Sequence, residues 1–347
     1  MKIILLGVYP PPIGGVSIHL QRLSEYLLEH GHSVEVLDYP GTDGEIKPDY
    51  VFRLPRHLLG KAWYIMRYAR QQPSNAVVHF HAAAMDRFRW IAPFMFLVFR
   101  KQPKFLTIHS GLLTGTLKYR LARAHIRFVL NRCRHVIPVT DELGKYLLEL
   151  GLSPERMTVI PAYIGKIPEA DNLPAELAQL KKTHKLVVTS GFLMAPYNFD
   201  VLIDVIPHLD CMKFHFIFVF YGATDPAYEA TILRSLKQLN NVTILHNQPA
   251  DVFLSVLHAS DVYVRTTVMD GDAITIREAL DFNTTVFATD SVKRPEACRL
   301  FKYNDPSSLC ELFTDLPEAS PDDKHVSASA CNVQRLLGIY EAALSLS

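Results

Sequence analysis

The chain has 347 residues, beyond the roughly 250–300 at which single cores stop growing, so two domains are expected. Hydrophobic residues make up 49% and charged residues 20%, which excludes a largely disordered chain. Five widely spaced cysteines with no Cys-x-x-Cys pair fit reduced thiols in a cytoplasm better than a disulfide framework or a zinc site. In chain order, Lys2–Val8 reads as a buried strand, too short for the apolar region of a signal peptide and cut off by Tyr9-Pro10-Pro11-Pro12. A helix is expected over Val16–His30, with Val16, Leu20, Leu23 and Leu27 on one face and Gly31 as its stop. Strands over Ser33–Asp38, Ala76–His81, Lys104–His109, His135–Val139 and Met157–Ile160 then alternate with helices over His57–Gln71, Asp86–Phe99, Leu117–Asn131 and Asp141–Leu150. The longest apolar stretch, Ile91 to Phe99, falls short of the about 20 residues that a membrane-spanning helix needs.

A polar linker with a lead-in helix occupies 165–184, and a second alternation begins. Its strands are Leu186–Gly191, Lys213–Tyr221, Val242–His246, Asp261–Arg265 and Thr285–Ala288; its helices are Phe199–His208, Pro226–Leu239, Asp251–Ala259 and Ala273–Phe282. After a proline-containing break, Ser327–Leu344 reads as a final helix, expected to pack back on the first domain. Alternation this regular predicts an α/β protein with two parallel sheets, each covered on both faces. The domains are placed at 1–165 and 166–326, with the tail at 327–347.

The net charge of +1 conceals a basic first half and an acidic second half. Residues 50–135 hold sixteen lysines and arginines against one acidic residue, Asp86. Trp63, Tyr64, Trp90, Phe94, Phe96 and Phe99 are interleaved with them, a pattern that suits an anionic partner such as a membrane surface or a lipid-linked phosphate. Solvated helix faces with snorkelling arginines are the plainer alternative. No nucleic-acid-binding motif accompanies the charge, so nucleic acid is not expected as a partner.

In an open α/β sheet, ligands sit beyond the carboxyl ends of the strands. Three loops there carry chemistry. Tyr9 to Gly15 leads into the first helix, and Gly14-Gly15 would let backbone approach a ligand while the helix start offers N–H groups to an anion. Thr107-Ile108-His109-Ser110-Gly111 ends a strand, with His109 at its tip; His79 and His81 close another strand and are weaker candidates. The third loop leads from Arg265 through Asp270, Gly271 and Asp272 into a helix beginning at Ala273 and Ile274. Arg277 and Glu278 lie inside that helix. Asp272 is the expected N-cap, and Asp270 and Glu278 are spaced to grip opposite ends of one elongated ligand. Each has a plain structural reading too: a tight turn, a satisfied histidine, a cap and a surface ion pair.

Asp270, seven intervening residues and Glu278 resemble the acidic-x7-Glu motif of retaining family 4 glycosyltransferases with the GT-B fold. Ala279-Leu280, the strand Thr284 to Asp290, the Gly14-Gly15-Val16 loop and the Thr-x-His-x-Gly run at His109 follow in the family's order, so the resemblance covers essentially the whole chain. It implies two Rossmann-like domains facing each other across a cleft. It further implies metal-independent transfer of a sugar from a nucleotide-diphosphate sugar, UDP favoured, to a glycan or lipid-linked hydroxyl acceptor in bacterial polysaccharide or glycolipid assembly. That activity is expected in the cytoplasm, peripheral at the inner face of the plasma membrane. Glu278 would bind the ribose, Asp270 the donor sugar, and backbone N–H groups after Gly271 the sugar and diphosphate. Gly14 and Gly15 would close on donor and acceptor, and His109 would lie beside the reacting sugar. One departure stands out. The family's Arg and Lys after the first strand of the second domain fall here on Phe192 and Tyr197, in the loop from Gly191 to Asn198. Losing both charges at a leaving group should weaken its stabilisation by several kcal/mol. Arg265 and Arg277 are the expected substitutes, and a non-catalytic sugar-nucleotide or glycan-binding module is the alternative. A sugar-nucleotide epimerase is disfavoured by the motif spacing.

Overall fold

The computed structural model describes residues 1–11, 13–39, 48–82, 85–109, 120–165, 172–270, 273–316 and 329–345. The chain divides into two units, Met1–Ile164 with Ala328–Ser347, and Gly165–Ser327.

In the first unit, β1 (Lys2–Gly7), β2 (Ser33–Asp38), β3 (Val51–Arg53), β4 (Val77–Ala82), β5 (Lys104–Ile108) and β6 (His135–Pro138) form one sheet in the order β3-β2-β1-β4-β5-β6. Every neighbouring pair is parallel. The helices are α1 (Gly15–Glu29), α2 (Leu58–Arg70), α3 (Met85–Val98), α4 (Arg120–Leu130) and α5 (Asp141–Glu149). Successive side chains of a strand face opposite ways, so β1 feeds two cores. Ile3 and Leu5 join Leu20, Leu23 and Leu27 of α1 on one face. Ile4 and Leu6 join Phe80, Phe96 and Leu106 on the other.

The second unit repeats the plan. Its strands are β7 (Lys185–Leu193), β8 (Phe214–Thr224), β9 (Val242–His246), β10 (Val262–Arg265), β11 (Thr285–Thr289) and β12 (Arg299–Phe301). They lie parallel in the order β12-β11-β10-β7-β8-β9. The helices are α6 (Ala175–Leu180), α7 (Asp200–Val205), α8 (Pro226–Leu236), α9 (Ala250–Ala259), α10 (Ile274–Asp281) and α11 (Pro306–Thr314). Phe216, Phe218 and Phe220 alternate along β8 with Ile217 and Val219, supplying one core each.

The last helix, α12 (Ser329–Ser345), belongs with the first unit. Val333, Leu336, Tyr340 and Ala343, at helical spacing, enter the core shared by β1 and α1. The Tyr340 hydroxyl is 2.5 Å from Nδ1 of His79 on β4.

Four elements depart from the sequence reading. Met157–Ile160 is not a strand; Met157 makes a single bridge to Val136 and the chain moves on. The short edge strands β3 and β12, and helix α11 between β12 and the tail, were not anticipated. The expected start at Leu117 of the helix that is α4 lies outside the described residues, as does the break at 317–323.

Read from each unit's first strand, both sheets have the order 3-2-1-4-5-6. The direction of connection reverses between β1 and β4 in one and between β7 and β10 in the other. The crevice at the carboxyl ends of those two strands is where doubly wound sheets take ligands. Both candidate sites lie there.

Candidate functional sites at the two switch points

In the second unit, Arg265 is the last residue of β10, and its Nη1 donates to the Ser190 carbonyl of β7 at 3.1 Å. Arg265 thus sits across the switch point itself. Its Nε and Nη2 donate to Asp270 Oδ2 and Oδ1 at 3.1 and 2.6 Å, a two-pronged grip. Arg294, in the loop after β11, donates from Nη1 to Asp270 Oδ2 at 2.5 Å, and from Nε and Nη2 to the carbonyls of Thr289 and Thr267. All three side chains are buried, at 8% exposure for Arg265 and Asp270 and 2% for Arg294. Burial alone would raise the Asp270 carboxyl, but Arg265 and Arg294 together outweigh it and hold it below the usual carboxylate range. Two guanidinium groups on one carboxylate leave a surplus positive charge at the carboxyl edge of this sheet.

That arrangement bears on the roles expected of Arg265 and Asp270. Arg265 is no free cation beside a leaving group: its donors meet Asp270, the Ser190 carbonyl and the Tyr263 hydroxyl. Asp270 is no unencumbered acceptor for sugar hydroxyls, since each oxygen already meets a guanidinium. Arg294 is the partner sequence reasoning missed; its only trace is the Lys293-Arg294-Pro295 run beyond a strand end.

The helix that follows is α10. Its N-cap is Ala273, with no side-chain cap bond, and Ile274 is its first residue, one step later than the expected start. Gly271 and Asp272, and with them the expected Asp272 cap, lie outside the described residues. Glu278 stands in the second turn and is 3% exposed, whereas Arg277 is half-buried. A carboxylate that buried at a strand-to-helix junction marks a specific role, structural or ligand-binding.

The loop after β7 is aromatic. A Cβ at Gly191 would lie 2.0 Å from Cδ1 of Tyr197, so the ring of Tyr197 occupies the space beside that glycine. The absent side chain of Gly191 makes room for this ring. Phe192, Tyr197 and Tyr221 make edge and tilted contacts, and Arg265 lies 5.3 Å from the Tyr197 ring centroid. Asn198 closes the loop with a left-handed backbone, φ 50, and its buried Nδ2 has no partner among the described residues.

In the first unit, Gly14 is the N-cap of α1, in extended backbone, and Gly15 opens the helix. The Gly14 N–H donates to Ser17 Oγ at 3.0 Å, so this amide closes a cap and is not offered to an anion. His109 follows β5 directly and is 9% exposed, inside a group of histidines at the switch point. His81 Nδ1 is 3.2 Å from His109 Nε2, and His19 of α1 faces both rings. Burial pushes His19 down to about 4 and lowers His81 and His109 well below the usual histidine range, so all three are neutral at pH 7. His79, two residues before His81, is tied to Tyr340 and to Thr107 Oγ1 and serves the core. His19 was not anticipated, because nothing in its sequence surroundings marks it.

Comparison with known proteins matches this architecture. The family model described as Glycosyltransferase Family 4 matches residues 13–164, nearly all of the first unit ahead of its returning helix. Comparison with curated proteins finds no match. Among solved structures, Anabaena HepE in complex with UDP and glucose aligns with a TM-score of 0.71 at 15% identity, covering 100% of this chain and 99% of that one. Sucrose-phosphate synthase from Thermosynechococcus elongatus aligns at 0.70 with 16% identity, covering 100% and 96%. The catalytic domain of Starch Synthase IV from Arabidopsis thaliana, bound to ADP and acarbose, aligns at 0.71 with 12% identity, covering 99% of each. At such identities the likeness is one of fold. The chain is therefore a protein of the GT-B glycosyltransferase fold. Its resemblance to family 4 glycosyltransferases is supported by the match over the first unit.

Proposed function

We propose that this protein is a retaining glycosyltransferase that moves a sugar from a nucleotide-diphosphate sugar to a hydroxyl acceptor in bacterial polysaccharide or glycolipid assembly. The observation that carries the reading is the Arg265–Asp270–Arg294 cluster: surplus positive charge at a switch point, beside the start of α10, whose second turn holds buried Glu278. A departing nucleoside diphosphate needs positive charge and oriented N–H groups, and a helix N-terminus offers the second. The cluster is a candidate substitute for the charges absent at Phe192 and Tyr197: its cationic charge lies within the sheet edge, with Asp270 holding the two guanidinium groups in place. Asp270 then acts as a positioning residue. Glu278 takes the ribose, and transfer proceeds without a catalytic metal. UDP is the favoured base, in keeping with the UDP and UDP-glucose complexes of HepE.

Thermal-shift titration with UDP, GDP and ADP, followed by transfer and hydrolysis assays on their sugars, tests this. A nucleotide at 100 times its dissociation constant should add about 2.7 kcal/mol of stability. Glu278→Ala should remove that response. A folded Glu278→Ala variant that responds like the wild type refutes the ribose assignment. One observation favours a second reading, a non-catalytic sugar-nucleotide or glycan-binding module: both guanidinium groups are already committed to Asp270. Nucleotide binding with no turnover on any sugar would establish it.

The basic segment of the first unit supports a docking role at an anionic membrane, on the side that takes the acceptor. Leu58, Leu59 and Trp63 of α2, Leu97 of α3 and Leu121 of α4 are 58–87% exposed. α3 packs against both α2 and α4, so these side chains belong to neighbouring helices of one layer. Arg67 lies over Trp63. No described helix is long and apolar enough to cross a membrane. The expected result is flotation of the protein with liposomes containing phosphatidylglycerol, lost in high salt and in Trp63→Ser with Leu59→Ser. Equal flotation with neutral liposomes would remove the electrostatic part of this role.

A further inference from the structure

We propose that His19, His81 and His109 form a binding site for a divalent transition-metal ion of the zinc class. One ring nitrogen from each residue lies within 4.8 Å of the others, and the three rings are buried. This goes beyond the transferase reading and does not depend on it.

Three features of the cluster carry the inference. Geometry comes first. Three nitrogens at that spacing share a centre no more than about 2.8 Å from each (4.8 Å divided by √3), against zinc–imidazole bonds of about 2.0–2.1 Å. Displacements of under an ångström in each nitrogen close such a shell. Second, Nε2 of His81 is buried with no hydrogen-bond partner among the described residues. A buried lone pair or N–H without a partner costs about 1–3 kcal/mol, and a ligand is the usual reason for retaining one. Third, His19 Nδ1 is 2.5 Å from the Ala162 carbonyl, close enough only for an N–H to donate there. That bond fixes the tautomer and leaves Nε2 as a lone pair, the outer-shell support that metal-bound histidines almost always have.

Three imidazoles with no thiolate or carboxylate select zinc, copper or nickel over magnesium or calcium. Among the described residues no fourth ligand joins the three. The ion plays no part in the proposed transfer. It would hold the ring of His109, the histidine that the family resemblance places beside the donor sugar, and so withdraw it from that side.

The test uses the full chain after chelator treatment, titrated with Co(II) alone and then with Zn(II). One equivalent of cobalt should bind with the strong visible bands of a four-coordinate site, and zinc should displace it. His81→Phe and His19→Gln should each weaken binding by about 100-fold or more, as expected when a ligand is lost rather than only its support. His246→Gln, at an exposed histidine of the second unit, should leave it unchanged. Circular dichroism and melting of the metal-free variants show whether each is folded. X-ray absorption at the zinc edge of the wild type, which needs no variant, should find nitrogen ligands and no sulfur. Binding that survives in folded His81→Phe, a sulfur-containing shell, or no stoichiometric cobalt binding would each overturn the proposal, whatever the transfer assays give.

Discussion

Asp270→Asn should destabilise the protein by about 3–5 kcal/mol, the loss expected when one partner of a buried ion pair is removed and the other charges stay behind. The substitution keeps shape and one acceptor oxygen, so packing does not confound the result. What changes is the charge: two guanidinium groups, on side chains 8% and 2% exposed, lose the only carboxylate described between them. The exposed pair Arg299–Asp315 gives the contrast, because Asp315 is 90% exposed. Asp315→Asn should cost no more than about 1 kcal/mol. Urea unfolding at pH 7 measures both. The sign of the pH dependence is fixed as well. The folded carboxyl of Asp270 is depressed, so its contribution is present above the unfolded value of about 3.9 and is lost as pH falls through the lower folded value. Wild type should therefore lose stability more steeply than Asp270→Asn in that acid window. Equal unfolding midpoints at pH 7 would mean that the cluster is solvated and carries little energy.

The strand–helix alternation was legible because burial on both faces leaves continuous apolar runs such as Ile3 to Leu6 and Phe216 to Phe220. The edge strands β3 and β12 were not. Val51–Arg53 is half-buried throughout and only three residues long, which leaves no periodic signal. Met157–Ile160 looked like a strand for the opposite reason: an apolar residue pattern beside β6, where the backbone makes only one bridge. The sites divide the same way. Arg265, Asp270 and Glu278 lie on one loop and its helix, so sequence spacing found them. Their partnership depended on Arg294, which strand order carries back from beyond β11. His19, His81 and His109 come from one helix and two strand ends. No spacing links them; only the adjacency of β1, β4 and β5 does.

Arg294→Met separates charge from scaffold. The long apolar side chain keeps much of the volume, and the Arg265–Asp270 pair remains as a neutral couple, so the variant should stay folded. Its stability cost should be about 1–3 kcal/mol, from carbonyls of Thr289 and Thr267 that lose a donor. Thr267 keeps the bond from Thr289 Oγ1 at 2.8 Å, which limits the damage. The surplus positive charge, however, is gone. If it stabilises the departing diphosphate, kcat should fall about 10²–10³-fold, the usual effect of removing one preorganised donor from a developing anion. Arg294→Lys should recover part of that loss, since it restores the charge without the fork that reaches Asp270 and the two carbonyls together. Should the protein bind without turning over, the same pair of variants would be compared through nucleoside-diphosphate affinity, with Arg294→Met the weaker. A folded Arg294→Met protein with turnover and affinity within a few-fold of wild type would show that the charge of this cluster is spent on holding β10 and β11 together. The diphosphate would then have to be met by the amides at the start of α10 alone.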